Sequence, residues 1–297
     1  MNKFLEKYGY NPDSEKIARS LELLSSNLEA LSTPDKLKTC FSIMDLTTLR
    51  SVDTVDYVKK LVGKVNGLPQ AYPAYPLPAS VCVYPNFAPV VAKERKDPAL
   101  HVTAVAGCFP ASQSFIEVKV KECVMAVEGG ADEIDIVLAL NAFLAEDYDA
   151  AFDEIVAMRK GIDEAGKRVG RKIVLKVILE TGLLVTPENI ATASFLAMEA
   201  GADFIKTSTG KVEVNATPIA AYVMCEAIRA YYAKTGRKVG FKAAGGISTA
   251  KDALCYYSIV SSLLGEEWLN KDLFRFGVSR LGNSLISAIE QNTVNYF

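Results

Sequence analysis

EGGADEID at residues 128–135 recurs as EAGADFIK at residues 199–206, 71 residues further along the chain. Each copy has the form of a helix end, a glycine stop and the start of a strand, as in repeated βα units. Asp135 and Lys206 take the same place in the two copies. If the copies belong to the fourth and sixth strands of a barrel, they contribute side chains to one interior layer. We therefore expect the carboxylate and the amine to face one site.

Short β-rich runs alternate with longer amphipathic ones, the pattern of a parallel sheet. The expected strands are residues 40–46, 80–84, 101–107, 133–138, 173–179, 203–207, 240–244 and 274–278. Apolar positions at spacings of three and four predict covering helices between them, with one helix ending at Gly166. Eight strands is the number that a closed barrel needs, so we predict an α/β fold, a TIM (β/α)8 barrel. Residues 1–36 are assigned to an N-terminal helical extension and residues 37–297 to the catalytic barrel.

The composition argues against several classes of protein. Lys and Arg number 33 against 35 Asp and Glu, so no positive field favours nucleic-acid binding. The longest uncharged stretch, residues 68–92, contains six prolines that would break a membrane helix, and the charged N-terminus lacks an apolar signal segment. We expect a cytoplasmic protein with no nucleic-acid or membrane partner. One histidine and six cysteines without a CxxC pair predict no metal site and no cofactor.

Ionisable residues interrupt five of the expected strands, where a barrel should carry apolar side chains. They are Asp45, Asp135, Lys176, Lys206 and Lys242. Because strand neighbours point to opposite faces, the flanking Ile and Phe side chains can pack under helices while the charges point into the barrel. There they must form pairs or shift their pKa values. The alternatives are a structural ion-pair network, or strand ends that reach solvent.

Three lysines and two aspartates in a water-poor site favour Schiff-base chemistry. Desolvation and a like charge both disfavour the ammonium form, so one lysine can be a free amine that attacks a carbonyl. A second lysine can supply the like charge, and a carboxylate can move the protons of the imine and enamine steps. This is aldolase chemistry without a metal. The charges alone do not rank Lys176, Lys206 and Lys242 as the nucleophile.

Glycine-containing loops follow the last three expected strands, at residues 207–211 (TSTGK), 243–249 (AAGGIST) and 277–280 (GVSR). In such barrels the loops after strands seven and eight commonly bind phosphate through backbone amides and a helix N-terminus. The loops therefore favour a small phosphorylated substrate. The alternative for Gly245 and Gly246 is that they only make a tight turn.

Seven motifs together resemble the deoxyribose-phosphate aldolase family, from about residue 37 to near the C-terminus. They are FSIMDLTTL (41–49), VCVYPNF (81–87), ADEIDIV (131–137), LKVILETG (175–182), GADFIKTSTGKVEVNAT (201–217), GFKAAGGIST (240–249) and RFG (275–277). The resemblance implies a class I aldolase that reversibly cleaves 2-deoxy-D-ribose 5-phosphate to acetaldehyde and D-glyceraldehyde 3-phosphate. It also favours a homodimer or homotetramer, and residues 1–37 could cap the barrel bottom or a subunit interface.

The resemblance also implies roles for individual residues. Lys206 matches the family's Schiff-base lysine, Lys242 its pKa-perturbing lysine and Asp135 its proton-shuttling aspartate. Polar positions expected to contact substrate hydroxyls or support the reacting groups are matched by Asp45, Lys176 and Thr207. Positions expected to bind the phosphate are matched by Gly210, Lys211, Gly245, Gly246 and Ser279.

Some positions depart from the family pattern. Ser248 stands where many members carry an arginine, and Arg280 where many carry a serine, so Arg280 could replace the missing charge. The loop at residues 105–112 also departs from the pattern. Tyr296 matches a tail tyrosine that helps to move protons in some members, although a frayed end is an equal alternative. Cys82 matches a cysteine near the site, although it needs no role beyond that of a buried hydrophobe.

Two other classes of protein share part of this pattern. A different lysine-dependent phosphosugar aldolase would share the imine and the phosphate loops but use another donor. A non-catalytic phosphosugar-binding barrel would keep the glycine loops and tolerate loss of the amine pair. Dependence of the reverse reaction on acetaldehyde distinguishes the first alternative, and ligand binding without turnover would support the second.

Overall fold

Eight parallel strands form a closed barrel in the computed structural model, which describes residues 3–297. The strands are β1 Met44–Thr47, β2 Ser80–Val83, β3 His101–Val105, β4 Glu133–Val137, β5 Val174–Ile178, β6 Phe204–Lys206, β7 Gly240–Ala244 and β8 Phe274–Val278. Each strand pairs with the next, and β8 closes the barrel by pairing with β1. The prediction of a TIM barrel is confirmed.

Fourteen α-helices surround the barrel or precede it within the described residues. They are α1 Lys3–Tyr8, α2 Ser14–Ser26, α3 Leu28–Leu31, α4 Pro34–Ser42, α5 Val55–Ala71, α6 Ala88–Glu94, α7 Ile116–Glu128, α8 Leu140–Leu144, α9 Tyr148–Arg168, α10 Thr181–Leu184, α11 Pro187–Glu199, α12 Pro218–Thr235, α13 Ala250–Leu264 and α14 Leu281–Glu290. Threonine side chains cap α11, α12 and α13 by accepting a backbone N–H of the first turn, as the Thr-Pro sequences before α11 and α12 predict. No helix in residues 3–297 has the length and apolarity needed to cross a membrane.

Two predicted boundaries are wrong. Residues 40–42, predicted to begin the first strand, form the last turn of α4, because Leu37, Cys40 and Phe41 share one buried helix face at spacings of three and four. Gly166, predicted to end a helix, lies inside α9, which continues to Arg168. A Cβ at Gly166 would lie 2.6 Å from the Arg171 carbonyl oxygen, so this glycine permits the chain after α9 to fold back against the helix.

The N-terminal helices lie on the outside of the helical shell. Helices α1 to α3 pack against α11, α12 and α13, and the Tyr8 ring stacks on Phe195 with 4.3 Å between ring centroids. Tyr10 and Lys16 both donate to the buried carboxylate of Glu226. This placement differs from a cap on the barrel bottom, and the alternative of a subunit interface stays a prediction. The predicted division between the N-terminal extension and the barrel, after residue 36, falls within α4. This division stays a prediction.

The barrel interior is polar at the level of the site. On β4, Ile134 and Ile136 join the hydrophobic core, while Asp135 between them contacts lysines from other strands. The parallel register pairs Asp135 with Lys176, and Lys206 with Lys242. Strand alternation and register therefore bring charges from distant parts of the sequence to one level.

Candidate active site

Asp135 stands at the centre of a buried charge network. Its Oδ1 accepts a hydrogen bond from Lys176 Nζ at 2.9 Å. Its Oδ2 accepts from Lys206 Nζ at 2.9 Å and from Lys242 Nζ at 2.8 Å. Asp45 joins the network, because its Oδ2 lies 2.5 Å from Lys242 Nζ. The structure thus brings together all five of the charges that the sequence predicts to face inward.

Two further charges complete the network and are not among the predicted site residues. Arg275 donates to Asp45 Oδ1 at 2.5 Å and to Glu133 Oε1 at 2.7 Å. Glu133 Oε2 lies 2.5 Å from Lys176 Nζ, and Glu133 Oε1 lies 2.7 Å from Nδ1 of the half-buried His101. Arg275 lies between Phe274 and Phe276, the same signal that marks the five predicted charges.

The network contains one more base than acid. Four buried basic groups, Lys176, Lys206, Lys242 and Arg275, face three buried carboxylates, Asp45, Glu133 and Asp135. If all seven are ionised, the barrel interior carries one uncompensated positive charge, which is costly away from water. Loss of one proton from one lysine balances the charges.

The lysines differ in how readily they lose that proton. Burial lowers the pKa of Lys206, and the nearby charge of Lys242 adds to this effect, so that together they outweigh the attraction of Asp135. Burial also opposes the charged form of Lys242, but Asp135 and Asp45 raise its pKa above the usual lysine value. Burial likewise opposes the charged form of Lys176, but the charges of Asp135 and Glu133 raise its pKa above the usual lysine value. Lys206 is therefore the lysine that most readily becomes a free amine.

Lys206 is also the network residue that a substrate can reach. A cavity of about 560 Å³ opens at the carboxyl ends of the strands, and its lining includes Lys206 but none of the other six charges of the network. Lys206 keeps 3% of its surface exposed, whereas Lys176 and Lys242 are fully buried. Among the residues that the structure describes, no group of three or more His, Cys, Asp and Glu could hold a metal ion.

The residues proposed for phosphate binding line this same cavity. They are Gly210 and Lys211 after β6, Gly245 and Gly246 after β7, and Ser279 after β8. Arg280 lines it too, whereas Ser248 does not and instead donates its backbone N–H to Asp252 Oδ2. The cavity therefore holds an amine at one end and backbone amides with cations at its rim, an arrangement suited to a carbonyl compound that carries an anion.

Thr207 and Cys82 also lie outside the cavity lining. Thr207 is buried between strands, where its hydroxyl donates to the Ala244 carbonyl and accepts from the Ala244 N–H. Cys82 is fully buried in a small apolar cluster with Leu49 and Val105, and burial raises the pKa of its thiol. Thr207 thus joins β6 to β7, whereas Cys82 lies near enough to the network for Lys242, Asp135 and Lys206 to act on the pKa of its thiol.

Tyr296 does not reach the site in this structure. Its hydroxyl donates to the Lys64 carbonyl on α5 at 2.7 Å. The tail is held because Asn283 Oδ1 of α14 accepts the backbone N–H groups of Tyr296 and Phe297. Phe297, which is not among the predicted site residues, lines the cavity instead.

Hydrogen bonds from the loop after β6 to Glu180, in the loop after β5, hold these two loops together. Glu180 is buried with a left-handed backbone (φ 54°), and it accepts hydrogen bonds from the backbone N–H and the hydroxyl of Thr209. The Thr209 hydroxyl in turn accepts the Lys211 N–H at 3.0 Å. The same two loops meet where a Cβ on Gly182 would lie 2.0 Å from the Val214 carbonyl oxygen. Glu180 therefore fixes the turn that presents Gly210 and Lys211 to the cavity.

We predict that Glu180→Ala impairs use of a phosphorylated substrate and spares the unphosphorylated sugar. The backbone strain is unchanged because alanine also has a Cβ, so the lost contacts to Thr209 carry the effect. We expect KM for the phosphorylated substrate to rise by roughly tenfold through misplacement of the Lys211 turn, with partial recovery in Glu180→Gln. Steady-state kinetics on both sugars measure this, with Glu188→Ala on the exposed start of α11 as the matched control. Equal losses on both sugars would contradict a positioning role.

Known proteins resemble this chain in sequence and fold. A family model described as DeoC/LacD family aldolase matches residues 39–257. The deoxyribose-phosphate aldolase of Mus musculus is 42% identical over 273 residues, which cover 86% of this chain and 80% of the mouse protein. The Homo sapiens deoxyribose-phosphate aldolase gives the same identity and coverage. A tetrameric deoxyribose phosphate aldolase structure from Aeropyrum pernix shares the fold, with a TM-score of 0.65 and 24% identity over 94% of this chain and 98% of that one.

Proposed function

The chain belongs to the DeoC/LacD family of aldolases, and we propose that it is a deoxyribose-phosphate aldolase. In this reaction 2-deoxy-D-ribose 5-phosphate is cleaved reversibly to acetaldehyde and D-glyceraldehyde 3-phosphate through a lysine Schiff base. The observation that carries the proposal is that Lys206 alone among the buried charges lines the cavity and also has a lowered pKa. That combination is what a nucleophilic amine requires.

The reaction begins with attack of the free Lys206 amine on C1 of the open-chain aldehyde. A proton from the ammonium groups held around Asp135 allows the carbinolamine to lose water and form a protonated imine. The C3 hydroxyl then gives up its proton, the C2–C3 bond breaks, and its electron pair moves toward the imine to form an enamine. D-Glyceraldehyde 3-phosphate leaves at this step.

The second half of the reaction returns the enzyme to its starting state. A proton is added to C2 of the enamine, which becomes the imine of acetaldehyde. Water then hydrolyses that imine, releasing acetaldehyde and the free Lys206 amine. Asp135 is placed for these transfers because its Oδ2 hydrogen-bonds to Lys206 and to the protonated Lys242.

The remaining proposed residues position either the substrate or the reacting side chains. Gly210, Lys211, Gly245, Gly246 and Ser279 bind the phosphate, and Arg280 is proposed to supply the charge that Ser248 lacks. Asp45 and Lys176 hold Lys242 and Asp135 in place, since they contact these groups and do not line the cavity. A homodimer or homotetramer and a cytoplasmic location stay predictions.

Incubation of the purified protein with 2-deoxy-D-ribose 5-phosphate tests the proposal. We expect acetaldehyde and D-glyceraldehyde 3-phosphate in equal amounts, without an added metal or cofactor. In the reverse direction, synthesis should depend on acetaldehyde as donor and fail with dihydroxyacetone phosphate or pyruvate. Use of another donor would point to a different phosphosugar aldolase, and binding of the sugar phosphate without turnover would point to a binding barrel.

A further inference from the structure

The loop after β1 presents an arginine whose position is fixed by neighbouring side chains of the chain itself. Asp53 Oδ2 accepts the Thr48 hydroxyl at 2.7 Å and the Arg50 backbone N–H at 2.9 Å. Its other oxygen accepts Arg50 Nε at 2.9 Å, and the guanidinium carbon lies 4.2 Å from the centre of the Tyr57 ring. The carboxylate and the aromatic ring therefore set both the position and the plane of the Arg50 guanidinium.

The terminal nitrogens of Arg50 are free while its inner nitrogen is bound. Within residues 3–297, Nη1 and Nη2 make no hydrogen bond to protein, and the side chain lines the cavity that contains Lys206. Asp53 lies behind the guanidinium with only 1% of its side chain exposed. Arg50 thus offers its two outer N–H₂ groups to the cavity, the fork that matches two oxygens of a phosphate.

The side of the cavity formed by the loop after β1 is positively charged and suits an anion. Besides the Lys206 amine, the cavity lining contains three cationic side chains, Arg50, Lys211 and Arg280, and no carboxylate side chain from the described residues. The Lys211 ammonium donates to the carbonyl of Leu49, the residue before Arg50, so two cations lie on the β1 side of the cavity. An anion bound there would relieve the repulsion between them.

We propose that Arg50 is a specificity-determining residue that binds the substrate phosphate from the β1 loop. The phosphate is then held between the Arg50 guanidinium and Lys211 on one side and the Gly245, Gly246 and Ser279 loops on the other. Asp53 and Tyr57 are positioning residues for Arg50. The inference rests on the proposed function, because it takes the phosphorylated sugar as the substrate.

The test compares Arg50→Ala, Arg50→Lys and the wild type on phosphorylated and unphosphorylated deoxyribose. We expect Arg50→Ala to raise KM for the phosphorylated sugar by about 10- to 100-fold, the range for a lost hydrogen bond to a charged group. The inhibition constant of inorganic phosphate should rise in parallel, while kcat/KM for unphosphorylated deoxyribose changes less than about twofold. Arg50→Lys should recover part of the loss, because it keeps the charge but not the fork.

Arg168→Ala is the matched control. Arg168 pairs with Glu128 on the surface, so this variant removes the same charge far from the cavity, and its kinetics should equal those of the wild type. An unchanged KM and phosphate inhibition constant in Arg50→Ala would overturn the inference, and so would equal losses on both sugars. If the wild type does not cleave the phosphorylated sugar, the proposed function fails. Binding of inorganic phosphate to wild type and Arg50→Ala, measured by calorimetry, then still decides the role of Arg50.

Discussion

Lys206→Met is expected to reduce kcat for cleavage of 2-deoxy-D-ribose 5-phosphate by on the order of 10⁴-fold or more, since it removes the covalent route entirely. Methionine nearly matches the length of lysine but carries no amine. The residual rate would come from substrate binding and from the remaining polar groups. Coupled detection of D-glyceraldehyde 3-phosphate measures the loss directly.

Borohydride trapping identifies the nucleophile in the same experiment. Acetaldehyde and borohydride should leave a reduced two-carbon adduct on Lys206 of the wild type, located by peptide mass spectrometry, and no adduct in Lys206→Met. Trapping mainly on Lys242 or Lys176 would overturn the assignment of roles. The absence of any adduct in the wild type would support the binding-barrel alternative.

The charge count explains why Lys206→Met should still fold. Removal of Lys206 leaves Lys176, Lys242 and Arg275 opposite Asp45, Glu133 and Asp135, three positive groups against three negative ones. No buried charge loses its last partner, because Asp135 still accepts hydrogen bonds from Lys176 and Lys242. A matched thermal unfolding curve for wild type and variant therefore separates lost chemistry from lost structure.

Patterns local to each strand predict most of the barrel. Eight short apolar runs alternating with amphipathic runs give the order of the elements, and the charges between apolar neighbours give the side chains that face inward. The start of β1 is predicted four residues early, because a short apolar run does not distinguish a strand from the buried face of α4. Gly166 lies inside α9 because the Arg171 backbone approaches it closely. The presence of a glycine in the sequence does not distinguish such a close approach from the end of a helix.

The active site depends more on contacts between distant segments. Arg275 carries the same local signal as the other charges, but its partner Glu133 is the first residue of β4 and resembles a solvent-exposed strand end. Glu180 follows β5 and acquires its function only because Thr209, on another loop, lies against it. The charge pattern alone leaves three candidate lysines, and among sequence signals only the family resemblance points to Lys206. A physical ranking needs the burial of each side chain and its distance to Asp135.

Lys242→Met is expected to shift the acid limb of the kcat/KM profile to higher pH, in addition to lowering the rate. The pKa of Lys242 is raised by Asp135 and Asp45, so Lys242 stays protonated near neutral pH and its charge lowers the pKa of Lys206. Without that charge, the protonated form of Lys206 is favoured, and a smaller fraction of enzyme carries the free amine at neutral pH. The limb of kcat/KM against pH reports this free-enzyme ionisation.

The charge count leads to the same direction of shift by an independent route. In the wild type the network balances when Lys206 is neutral, whereas in Lys242→Met it balances when Lys206 is protonated. Part of the lost activity should therefore return as the pH rises, and Lys242→Arg, which keeps the charge, should keep the acid limb near its wild-type position. A fall in kcat/KM without movement of the limb would show that Lys242 acts by donating a proton to the substrate, because a proton donor can be lost without changing the ionisation of Lys206.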